Sequence, residues 1–146
     1  MGSGNYVWEV TVVVILAAWG MQVVNIRAMQ SAWGQLEGEL AGAEDLWLVR
    51  RAINTSMMLA VLYLGMSMAF FLFLIWAWFG AGMGMMALTG PVFVFGILTL
   101  PAGYIGKQYE NKIRRLDTGS CGEEVLKTYS AWLNLWGKAR FRLPDE

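Results

Sequence analysis

Three long apolar runs set the organisation of this chain. The first extends from Tyr6 to Val24 and is broken only by Glu9, Thr11 and Gln22. The second, from about Thr55 to Phe79, reads TSMMLAVLYLGMSMAFFLFLIWAWF, and the third, from about Met83 to Ile105, reads MGMMALTGPVFVFGILTLPAGYI; neither carries a charge. Each run approaches or exceeds the ~20 residues a helix needs to cross a bilayer. The pattern predicts an all-α integral membrane protein of three transmembrane helices. The expected layout is a short outer N-terminus at 1–5, helices at 6–27, 52–79 and 85–106, and a tight outer turn at 80–84. An amphipathic cytoplasmic segment at 28–51 and a cytoplasmic tail at 107–146 complete it. The segment before Tyr6 has no Lys or Arg, unlike the n-region of a secretory signal, so the first run is expected to be a retained helix.

Charge placement orients the layout. All eleven Lys and Arg lie either at Arg27, Arg50 and Arg51 or between Lys107 and Arg142. The positive-inside rule therefore puts the N-terminus outside and the C-terminus inside, as a multi-pass protein of a bacterial-type inner or cytoplasmic membrane. Tyr6, Trp8, Trp76 and Trp78 would form the outer aromatic belt, and Trp33, Trp47, Tyr104 and Tyr109 the inner one. Trp19 falls within the first span and does not fit either belt.

The segments between and after the spans are amphipathic. In 28–50, Trp33, Leu36, Leu40 and Trp47 recur at roughly helical spacing, either prolonging the first helix or forming a short one beneath the membrane. In the tail, Ser120 and Glu123 have the spacing of a capping box before a helix at about 121–137. Val125, Tyr129, Trp132, Leu133 and Trp136 share one face of it. Trp132 and Trp136, with Lys138, Arg140 and Arg142, suit a helix on the membrane surface; the same stripe also suits packing on the 28–50 segment or a neighbouring subunit. Asn54-Thr55-Ser56 matches a glycosylation acceptor but falls at the expected inner boundary, where the match carries no meaning.

Composition excludes much chemistry. Charged residues make up 15% of the chain, and equal numbers of each sign leave no electrostatic case for nucleic acid. Histidine is absent and Cys121 is the single cysteine, which removes Cys/His zinc sites, bis-His haem and His- or Cys-based catalytic pairs. No cofactor, metal or catalytic residue is expected, and no acid–base pair with suitable spacing lies in the spans.

The polar groups available to line a pathway are Glu9, Thr11, Gln22, Asn25, Thr89 and Thr99. Glu9 either reaches the outer headgroups from the first turn of its helix or faces a partner helix as a buried ionisable group. Helix packing or kinking is expected at Gly90, Pro91, Gly96 and Pro101. Gly65 with Ala69, and Ala102 with Gly106, are small-xxx-small pairs that permit close helix approach. The carbonyls that Pro91 and Pro101 leave without an amide need partners from neighbouring helices or side chains.

After Pro101-Ala102, the stretch GYIGKQYENKIRRLD resembles the segment that follows the Pro-Ala of the last helix in the TolQ and ExbB family of proton-channel subunits. That family also has three helices and an outer N-terminus, so the resemblance implies ion conduction by an oligomer. The chain lacks that family's large insertion between helices one and two, and its second span lacks the small and polar residues such a pore would need. The leading expectation is a non-catalytic membrane subunit whose partners are the bilayer and either copies of itself or other membrane subunits. The alternative is an ion- or proton-conducting oligomer.

Overall fold

A computed structural model describes residues 5–144. Most of the expected N-terminal segment at 1–5 lies outside them, as do Asp145 and Glu146 of the tail. Four helices, and no strand among the described residues, run in the order α1 (Asn5–Leu36), α2 (Ala43–Phe79), α3 (Met85–Arg114) and α4 (Glu123–Trp136). The first three are long and apolar enough to cross a membrane.

At 32, 37 and 30 residues, α1, α2 and α3 are each longer than the ~20 residues that span hydrocarbon. The excess lies at the end of the bundle that carries the Lys and Arg. The stretch 28–51 accordingly forms no helix of its own. Its first residues complete α1 and its last begin α2, with the reversal between them at Glu37 (φ 51) and Gly38 (φ 83). The carboxylate of Asp45 accepts hydrogen bonds from the Ala41 and Gly42 amides at 2.9 and 3.3 Å, capping the start of α2. The loop is tied to the α3–α4 connection, where Leu40 donates to the Asp117 carbonyl (2.7 Å) and Asp117 to that of Gly38 (3.0 Å). At the end without Lys or Arg, Gly80, Ala81 and Met83 donate to the last carbonyls of α2, and Gly82 (φ 65) turns the chain into α3.

Helix α1 is the central element. Both α2 and α3 pack along it, while they touch each other at few points. Two cores result. One, at the end without Lys or Arg, joins Val7 and Ile15 of α1 to Phe70 and Leu74 of α2 and Phe95 of α3. The other joins Met29 and Leu36, Val49 and Ile53, Ile113, and the tail at the charged end.

The tail corrects two expectations. The Ser120 capping box does not form: α4 starts after Gly122, no side chain caps it, and Ser120 donates instead to the Glu39 carboxylate. Nor do Trp132 and Trp136 face a membrane surface. They are buried with Tyr129 in the charged-end core, because the long overhangs of α1, α2 and α3 present an apolar wall that takes the stripe. Lys138, Arg140 and Arg142 are exposed beyond it. Leu143 closes the core, fully buried, its amide donating to Asn54 Oδ1 at 2.7 Å while Arg50 holds the Pro144 carbonyl at 3.2 Å.

Candidate functional site

The polar residues singled out from the sequence fall into two groups. Thr11, Thr89 and Thr99 each donate to the carbonyl four residues back in their own helix, at 2.7, 3.1 and 2.7 Å, which satisfies a hydroxyl in apolar surroundings without another helix. Glu9 is exposed, between buried Val7 and Thr11 on the same helix. It faces away from α2 and α3, whereas Thr89 borders the groove between α2 and α3 and Thr99 borders a cavity that also meets Gln22 and Lys107.

Gln22 and Asn25 do converge. They face α3 from one turn of α1, where Ala102 and Gly106 are buried against them. A Cβ on Gly106 would lie 2.3 Å from Gln22 Oε1 and 3.6 Å from Asn25 Nδ2. The small residue is what admits the two amides. One turn further along α3 comes Glu110, which is not among the residues that the sequence pattern singles out. Its Oε1 accepts from Asn25 Nδ2 at 3.2 Å and from Ser56 Oγ at 2.7 Å, and Trp136 Nε1 donates to Ser56 Oγ at 3.2 Å. All four helices thus contribute to one hydrogen-bonded cluster, at the junction between the membrane-length stretch and the charged end.

Two acceptors in this cluster are left over. Gln22 Oε1 and Asn25 Oδ1 are buried without a hydrogen-bond partner, and Asn25 is only 5% exposed. The cluster borders a cavity of about 140 Å³ lined by Gln22, Asn25, Ser56, Tyr63 and Glu110. A neighbouring cavity of about 330 Å³ shares Ser56 and Glu110 and adds Lys107, Arg114 and Lys138. Arg114 also stacks its guanidinium over Trp136, 4.3 Å from the ring centroid. Nearby, Tyr129 donates its hydroxyl to the Ile113 carbonyl, and burial pushes that hydroxyl above its ordinary pKa against the opposing pull of a backbone hydrogen bond at Leu116 and of Arg114. Among the described residues no three Asp, Glu, His or Cys side chains gather to hold a metal ion.

The packing residues also divide. Gly90 lies under the Trp8 indole, where a Cβ would sit 3.1 Å from the ring, and Pro91 is buried. About one turn before Pro101 in α3, Leu98 offers its carbonyl to Trp19 Nε1 at 3.0 Å, which gives the mid-span Trp19 its role. A Cβ added at Gly96 or Gly65 would meet nothing within 4 Å, and Gly65 and Ala69 are exposed on α2. That pair is not used within the chain.

Comparison with protein-family models, with curated proteins and with solved structures gives no match.

Proposed function

We propose that this chain is a non-catalytic subunit of a membrane assembly, its charged end in the cytoplasm, associating through α2 and α3 with further helices. The observation that carries this is the unfilled space between those two helices. At the end without Lys or Arg they flank an apolar groove of about 410 Å³ walled by Phe71, Ile75 and Trp78 on one side and Leu88, Val92 and Phe93 on the other. In lipid, apolar exposure does not itself drive association, because acyl chains are as apolar as leucine. Close packing does. A groove that side chains can fill and a small-residue face at Gly65 and Ala69 are the surfaces that permit it. The bundle's interior supports this reading over conduction. Between Thr11 and the Gln22 cluster, the α1 face turned inward is Ile15 and Ala18, with no polar side chain, and the buried Thr99 hydroxyl of α3 is spent on its own helix.

Disulfide cross-linking tests the surface. In a Cys121→Ser background, Gly65→Cys or Ala69→Cys is expected to cross-link to a second copy or to another membrane subunit, whereas a cysteine at Val13 on the exposed side of α1 is not. Equal cross-linking at all three positions speaks for random collision and against the proposal.

A further inference from the structure

The Glu110 cluster is built to receive a donor. Two buried amide oxygens without partners cost ~1–3 kcal/mol each unless something meets them, and the Glu110 carboxylate beside them accepts from neutral Asn25 and Ser56. The adjoining cavity, about 140 Å³, is several times the ~30 Å³ that a water occupies in the liquid. One carboxylate with amide oxygens suits a singly charged ammonium.

The surroundings say what the ammonium is attached to. A third cavity, about 570 Å³, shares Gln22 and Tyr63 with the acceptor pocket and runs toward the apolar part of the bundle past Ala102, Leu100 and Tyr104. Lys107 lines both this cavity and the basic one. One turn of α3 separates Lys107 from Glu110. The order is therefore a mainly apolar slot, with Thr99 and Asn111 also in its wall, a lysine, then an acceptor pocket, placed where the membrane-length stretch ends. We propose that this cleft binds an aminophospholipid. The primary ammonium enters the Gln22–Asn25–Glu110 pocket, the phosphate meets Lys107, and an acyl chain lies along Ala102, Leu100 and Tyr104 in the third cavity, apart from the α2–α3 groove. A trimethylated headgroup has no N–H to give and a glycerol headgroup has no positive charge, so the site discriminates among phospholipids by chemistry rather than by size. The inference stands apart from subunit association, since every residue it uses lies in one chain.

The test is retention of lipid by the whole protein in nanodiscs holding equal amounts of phosphatidylethanolamine, phosphatidylcholine and phosphatidylglycerol, read by mass spectrometry after extraction into detergent. The wild type is expected to retain phosphatidylethanolamine about ten-fold over phosphatidylcholine, the scale of one hydrogen bond to a charged group. Glu110→Gln should erase that preference, Lys107→Gln should lower retention of all three, and Glu9→Gln, remote from the cleft, should keep it. Equal retention of the three lipids by the wild type, or an unchanged preference in Glu110→Gln, overturns the proposal. Stabilisation by K⁺ with no headgroup preference also overturns it, in favour of an inorganic cation. The wild-type comparison is decisive whether or not a variant folds.

Discussion

Ser56 of α2 donates its hydroxyl hydrogen to the Glu110 carboxylate of α3 at 2.7 Å, joining two helices that otherwise meet at few points. The bond sits where apolar spans give way to charged overhangs, and Trp136 of α4 completes it from the other side. Cohesion between α2 and α3 is thus polar and local at this end. Ser56→Ala removes two hydrogen bonds, the one to Glu110 and the one from Trp136, and leaves Glu110 with the Asn25 amide. The expected loss is ~2–4 kcal/mol, mostly from the bond to the charged group, measured as the shift in thermal unfolding in detergent.

Gly106 controls access of the two amides to α3. Gln22 Oε1 is the tip of a flexible side chain, so Gly106→Ala displaces it at small expense, below about 1 kcal/mol, within the range of mild packing changes. Gly106→Leu fills the space that Asn25 occupies as well and is expected to cost ~1–3 kcal/mol, typical of overpacking. Thermal unfolding of the pair, side by side, checks both the sign and the order.

Trp132 separates the two destinations that its amphipathic stripe allows. It is 8% exposed inside the charged-end core. Trp132→Ala is therefore expected to lower stability by ~3–5 kcal/mol, as for large aromatic truncations in cores. A helix resting in the headgroup layer would respond differently, with weaker lipid contact and little change in unfolding temperature.

Tyr129 makes the charged end sensitive to alkali. Its folded pKa lies above the unfolded value of ~10. The folded state therefore holds the phenolic proton more tightly, and the associated stability is fully present below pH ~10 and is lost as pH rises through the folded value. Tyr129→Phe loses the hydrogen bond to Ile113, for ~0.5–1.5 kcal/mol near neutrality, and should show a shallower fall in unfolding temperature above pH ~10 than the wild type. Parallel alkaline slopes in the two proteins would contradict this account.

Glu9 is the simplest control. Exposed and facing away from α2 and α3, it is expected to change stability by less than ~0.5 kcal/mol when replaced by Gln. Proton leak into liposomes, followed with a pH-sensitive dye, should be the same for wild type and Glu9→Gln.

The apolar runs make the three long helices legible, because ~20 uncharged residues leave few other solutions. The Ala102–Gly106 contact is legible for a similar local reason: only small residues let helices approach so closely. Glu110 is hidden in the run KQYENKIRR, which has the character of a solvated prolongation of the helix. Its partners lie 85 and 54 residues away, a distance that no local pattern spans. A signal is present nonetheless. Continuing the Ala102–Gly106 step by four reaches Glu110, and by three more the buried Ile113, so one face carries small, small, acidic and apolar residues in register. The tail shows the complementary case. The spacing of Tyr129, Trp132 and Trp136 reveals an apolar stripe, but what covers it depends on how far α1, α2 and α3 overhang the spans.

Whether this chain is a subunit of a larger assembly is tested most directly by its mass after gentle extraction. Light scattering coupled to size exclusion, with the detergent contribution subtracted, should give a protein mass well above the 16.3 kDa of one chain, either as a multiple of it or with co-purifying membrane proteins. A protein mass of one chain alone, repeated across several mild detergents, would contradict the account.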